Sequence, residues 1–96
     1  MPSAFIIANV SLHDTDAYET YKKLSSIAMQ AHGAEVCVRG GAVEVLEGEW
    51  QPERVVVLKF ADVEHARAFH ASPEYLEARK SREGVATMRM IIVEGV

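Results

Sequence analysis

Residues 38–60, VRGGAVEVLEGEWQPERVVVLKF, carry the turn signals that set the strand pattern of the fold. The stretch has the punctuation of strand, turn, strand, loop, strand. Gly40-Gly41 predicts a tight hairpin, because glycine adopts positive φ without a steric cost. Over 42–47, Val43 and Val45 point one way and Glu44 and Leu46 the other. That partial alternation predicts an extra hairpin strand near a sheet edge. Gly48 and Pro52 bracket a looser connection that carries Trp50, the only tryptophan. Over 55–60 all but Lys59 are apolar, which predicts a central strand covered on both faces.

The flanking sequence supplies the rest. AFIIANVSL at 4–12 is β-rich and apolar on both faces. Asp14 can cap a following helix, with Asp16 and Glu19 acidic in its first turn. Ala17, Tyr21, Leu24, Ala28 and Ala31 then recur at helical spacing and form one apolar stripe, and Gly33 is placed to end the helix. Residues 35–39 read as a strand. Asp62 opens a second helix over 63–70, and Ser72-Pro73-Glu74 restarts it with a cap, a proline suited to the first turn and an acid suited to the dipole. Gly84 closes that region, and 86–94 is the last strand. The expected fold is a single α+β domain over 1–96. Its order is the ferredoxin-like split βαβ, βαββαβ with an extra hairpin strand, as an antiparallel sheet with helices on one face. Two helical regions cover only one face of such a sheet, yet three strands are apolar on both. A second copy related by a twofold axis covers the other face most simply, so a homodimer is expected.

Composition narrows the function classes. The net charge of −4 and the scatter of basic residues argue against nucleic acid or an anionic membrane as partner. No apolar run approaches the ~18 residues needed to span a bilayer, and the first ten residues lack the pattern of a signal peptide, so a cytoplasmic location is expected. Cys37 is the only cysteine, which rules out an intrachain disulfide; between Val36 and Val38 it reads as a small buried hydrophobe.

Few residues point to chemistry. Arg39, Glu47 and Arg54 fall near the hairpin ends, where a carboxylate between two guanidinium groups reads as an ion-pair network or a site for an acidic ligand. Trp50 reads as a dimer anchor or a lid. Tyr21 lies on the apolar stripe and can present its hydroxyl to a cavity between helix and sheet, with Tyr18 beside it. Of the four histidines, His13 and His32 fall at helix ends. His65 and His70 are five apart, which does not pair two ligands on one helix face, so no metal site is expected. His70, just before the helix break, is the candidate general base. Gly40-Gly41 joins two strands rather than leading a strand into a helix, which disfavours a nucleotide loop.

Tyr18-x-x-Tyr21, Gly33, Arg39-Gly40-Gly41, Leu46-Glu47-Gly48-Glu49-Trp50-x-Pro52-x-Arg54, Ser72-Pro73-Glu74-Tyr75 and Arg82 together resemble domain-of-unknown-function family 1330. This is a group of small bacterial proteins in the dimeric α+β barrel, ferredoxin-like superfamily. The resemblance spans nearly the whole chain and implies a dimeric α+β barrel. It transfers no activity, although the wider superfamily includes cofactor-free monooxygenases, haem-binding enzymes and small isomerases. The first expectation is a homodimer with a small-molecule pocket between sheet and helices, needing no cofactor. Tyr21, Arg39, Glu47 and Arg54 would hold a small organic, acidic ligand there. The alternatives are a cofactor-free monooxygenase- or isomerase-like enzyme with His70 as base, a structural or interaction protein with no ligand, and a haem binder through a histidine.

Overall fold

The structure, a computed structural model, describes residues 2–96. In chain order its elements are β1 (Ala4–Leu12), α1 (Thr15–Ala31), β2 (Glu35–Arg39), β3 (Arg54–Phe60), α2 (Val63–Ala71), α3 (Pro73–Ser81) and β4 (Ala86–Glu94). The strands form one sheet in the order β2-β3-β1-β4. β1 runs antiparallel to both neighbours, and β2 antiparallel to β3. β1 and β2 therefore run parallel on either side of β3, joined across α1; β3 and β4 run parallel on either side of β1, joined across α2 and α3. Two interlocked βαβ units put the helices on one face, the ferredoxin-like α+β fold expected.

The helix starts are fixed by side chains named in the sequence. Asp14 accepts from the Ala17 amide at 3.0 Å and Asp62 from the His65 amide at 2.8 Å. Ser72 Oγ accepts from the Tyr75 amide at 3.2 Å and donates to the Phe69 carbonyl at 2.7 Å, so one hydroxyl ends α2 and begins α3. Each such cap satisfies an amide that the helix itself leaves free. The core lies between these helices and the sheet. Alternate residues of β1 (Ala4, Ile6, Ala8 and Val10) are buried with Leu58 and Phe60, and Tyr21, Phe69 and Tyr75 come down on them from the three helices.

The extra hairpin strand does not form. Residues 42–47 are exposed and outside the sheet. Gly40 has φ +75°, but Gly41 is not in the left-handed region, so the two-residue turn that needs both is absent. β2 pairs on one side only, with β3, and its outer edge stays unpaired because the chain does not fold back along it. The segment 41–53 instead leaves the sheet as an exposed arm. Cys37, read as buried, is exposed. Val36 pairs with Leu58 and Val38 with Val57, so Cys37 is the extra residue of a β-bulge and has no inward position.

The sheet face away from the helices carries Phe5 and Ile7 of β1, Val55 and Val57 of β3, and Ile91 and Val93 of β4. The first four are half-buried, whereas Ile91 and Val93 are 57% and 40% exposed. At the polar end of that face the arm returns, with Trp50 and Gln51 beside Asn9, Ser11, Thr87 and Arg89.

Candidate functional site

A narrow slot opens between α1, α3 and the helix-facing side of the sheet. Its wall is apolar, from Val10, Leu58 and the side chains of Met29, Met88 and Met90. The unfilled space from its lining atoms out to its mouth is about 450 Å³, but only about 20 Å³ of this admits the centre of a water molecule. The smaller figure describes the closed slot, which has room for about one water. Three unbranched methionine side chains on its wall are the kind that adapt to an incoming shape.

Polar groups enter this slot at defined points. Tyr21, on the inner stripe of α1, meets Tyr75, in the first turn of α3, with their hydroxyls 2.7 Å apart. The Tyr75 hydroxyl also lies 3.8 Å from Met90 Sδ. Tyr75 donating to that sulfur leaves its oxygen to accept from Tyr21. Burial raises both phenols above their ordinary pKa, and at Tyr21 the neighbouring Tyr75, by its charge when ionised and by accepting the hydrogen bond, adds to the shift. Both are therefore neutral across the physiological range. Tyr18 stacks on Tyr21, with ring centres 5.2 Å apart.

Cations form the mouth. Arg54, the first residue of β3, lies opposite Val10 and so points to the helix side. Its guanidinium sits 5.6 Å over the Tyr18 ring and packs beneath Gly40, where a Cβ would collide with it. Arg39, the last residue of β2, donates from Nη2 to Ser26 Oγ at 2.8 Å and to the Lys22 carbonyl at 3.4 Å. Lys22, Arg39 and Arg54 line both the slot and the groove outside it, which places them at the entrance. Lys22 pairs with Glu19 at 2.9 Å, but among the described residues no carboxylate pairs with Arg39 or Arg54. Arg54 Nε is buried with no hydrogen-bond partner, as is Nε of Arg82, whose guanidinium lies 5.8 Å over the Tyr21 ring. Buried donors left unpaired are uncommon and costly, and they mark where an anion or an ordered water is wanted.

The residues singled out from the sequence fall in three places. Tyr21, Arg39 and Arg54 share the slot. Glu47 is on the exposed arm, away from both arginines, because the hairpin that was to bring it back is not formed. Trp50, 64% exposed, is on the same arm. His70 does not line the slot. It is half-buried at the end of α2, its ring 5.6 Å from that of Tyr75, in a separate groove with Ile6, Met90, Ile91 and Ile92. Burial, and then the charges of Arg79 and Arg82, hold its pKa below the ordinary value, so the imidazole is neutral at pH 7. Sequence reasoning gave Lys22, Tyr75 and Arg82 no site role. The cap at Ser72 was the available signal for Tyr75, since it fixes which way the first turn of α3 faces. His32 pairs with Glu74 at 2.9 Å and His13 with Thr87 at 2.9 Å. Among the described residues no three His, Cys, Asp or Glu side chains come together as metal ligands. No helix among them is long and apolar enough to cross a membrane.

The profile of the family described as Domain of unknown function (DUF1330) matches residues 3–96. The chain belongs to the DUF1330 family. No protein of curated function matches the sequence. Solved structures similar to this DUF1330 chain share its fold. A protein of unknown function from Rhodopseudomonas palustris superposes with a TM-score of 0.75 at 21% identity, over 99% of this chain and 83% of that one. A dimeric ferredoxin-like protein of unknown function from Thermobifida fusca gives 0.65 at 15% identity, over 97% and 91%. SnoaB, a cofactor-independent oxygenase from Streptomyces nogalater, gives 0.62 at 12% identity, over 97% and 92%. At these identities the likeness is one of fold.

Proposed function

We propose that this DUF1330 chain works as a homodimer in which each subunit binds a small organic acid, with the acid's apolar body in the slot and its carboxylate at the mouth. The observation that carries this reading is the pair of guanidinium groups, Arg39 and Arg54, facing an apolar slot with no carboxylate partner. A carboxylate there would take charge-assisted hydrogen bonds from a planar fork suited to it. The apolar body would displace the single water and move the methionines. Support for the dimer comes from the apolar sheet face left open by one chain and from the dimeric ferredoxin-like neighbour. Titration calorimetry of hexanoate against hexan-1-ol tests the ligand class. Hexanoate should bind at least tenfold more tightly than the alcohol, and Arg54→Gln should remove most of that difference. Equal affinity for acid and alcohol overturns the reading.

A second reading is a cofactor-free monooxygenase- or isomerase-like enzyme with His70 as base, and its support is the neutral imidazole and the fold shared with SnoaB. It predicts that an acid bound in the slot is consumed over hours and that His70→Gln stops its consumption. An acid recovered unchanged from the intact protein removes this reading. The narrowness of the closed slot favours instead an interaction protein with no ligand, which the same calorimetry excludes if hexanoate binds.

A further inference from the structure

The β2–β3 connection is far longer than its geometry requires. The Gly40 amide already donates to the Val55 carbonyl at 2.9 Å, so a loop of about two to five residues would close the hairpin. Instead residues 41–53 project from the end of the sheet. This arm carries Glu44, Glu47, Glu49 and Glu53 and no lysine or arginine. None of these carboxylates has an ion-pair partner among the described residues. It also exposes Val43, Val45, Leu46 and Trp50, with Leu46 88% exposed. One sign of charge interleaved with exposed apolar side chains suits a surface that pairs with another.

A complementary surface lies on the same chain. Outside the slot's mouth is a groove of about 690 Å³ lined by Lys22, Lys23, Ser26, Ile27, Arg39 and Arg54, and no residue of the arm lines it. It presents four cations around Ile27, which is 57% exposed. We infer that the arm of a second copy of this chain lies in this groove, with its Glu47 set against Arg39 and Arg54 at the mouth of the slot. This rests on the homodimer proposed above. The exchange is reciprocal, as a twofold axis requires, so each arm closes its partner's site. Extended from residue 41 to 47, the arm spans about 20 Å at ~3.3 Å per residue, longer than the 16 Å least extent of one chain. Arg39, Glu47 and Arg54, which the sequence grouped and one chain separates, are reunited between copies. The partner's Glu47 also competes with a free carboxylate, so the site is gated by displacement of the arm.

A mixture of unlabelled and 15N-labelled protein, refolded together and treated with a water-soluble carbodiimide, tests the exchange. Mass spectrometry should find peptides joining Lys22 or Lys23 to Glu44, Glu47 or Glu49, about half of them carrying one labelled and one unlabelled partner. The variants Glu47→Arg and Arg39→Glu should each weaken dimerisation at least tenfold in sedimentation equilibrium at low salt, and together should recover most of the loss. Cross-links confined to one label, or none to the arm, in a protein of dimer mass overturn the arm exchange and leave the dimer standing. A monomer mass removes both. Ligand binding is read separately by calorimetry on the Glu47→Gln variant, which should take hexanoate more tightly than the unmodified chain. An unchanged affinity there refutes the gating.

Discussion

Removing the hydroxyl of Tyr21 tests whether the Tyr21–Tyr75 bond is a matched pair at the heart of the slot. Tyr21→Phe deletes one partner of a buried 2.7 Å hydrogen bond and leaves the Tyr75 oxygen without its donor. A buried polar group orphaned in this way costs about 1–3 kcal/mol. The slot beside it has room for about one water, which can partly replace the lost partner and puts the expected cost near the lower end, about 1–1.5 kcal/mol. Tyr75→Phe orphans the other hydroxyl and should cost a similar amount. The double variant leaves neither group unpaired in an otherwise apolar slot, and such replacements can be nearly neutral. The signature is therefore strong non-additivity, with a coupling of about 2–3 kcal/mol, well beyond the scatter seen for independent sites. For a chain of 96 residues each single variant should lower Tm by roughly 4–10 °C, with the double close to the unmodified protein. Scanning calorimetry on all four proteins at one fixed concentration measures this, since dimer formation makes Tm depend on concentration. Additive losses in the double variant would show that the two hydroxyls are satisfied independently and that the pair is incidental.

Three other outcomes follow from the same geometry. Gly40→Ala forces a Cβ into the Arg54 guanidinium at φ +75° and should cost about 1–2 kcal/mol in backbone strain alone; chemical denaturation measures it, and an unchanged midpoint contradicts the packing described. His70 is held neutral by burial and by Arg79 and Arg82, so its protonation favours the unfolded chain. Its contribution is full above pH 6.5 and is lost as pH falls through its lowered folded value; urea melts at pH 7.5 and 5.0 should show a smaller loss for His70→Gln than for the unmodified protein, and equal losses contradict it. Ile7→Lys and Ile91→Lys place charges on the open sheet face, and light scattering should find their dimer dissociating at concentrations where the unmodified chain stays paired; unchanged dimer mass moves the interface elsewhere.

The fold was legible because local and long-range signals agree. Of the expected stripe Ala17, Tyr21, Leu24, Ala28 and Ala31, Tyr21 and Ala28 are buried and Leu24 packs on the core, while Ala31 is exposed and Tyr18, Ser25 and Met29 complete the inner face. Asp14, Asp62 and Ser72 cap the helices they precede, and the apolar run at 55–60 belongs to an interior strand. The arm was misread because its alternation fits a strand, while pairing with β2 also needs the tight Gly40-Gly41 turn, and Gly41 does not adopt it. Cys37 shows the same limit, since a one-residue bulge reverses which face a side chain takes and leaves no trace in a pattern of valines. Tyr21, Arg39 and Arg54, singled out from stripe position and hairpin ends, line one slot. Tyr75 and Arg82 reach it only through the packing of α3 on α1. Glu47 was assigned to the arginines through a turn that one chain does not make.

On the proposed reading the apolar slot takes an organic acid, whose carboxylate meets Arg39 and Arg54, which have no carboxylate partner among the described residues. A crystal structure of the protein grown with hexanoate tests it most directly. The account predicts the alkyl chain among Met29, Met88 and Met90, with the carboxylate within hydrogen-bond distance of Arg39 or Arg54. Hexanoate bound elsewhere, with the slot closed around its one water, would contradict it.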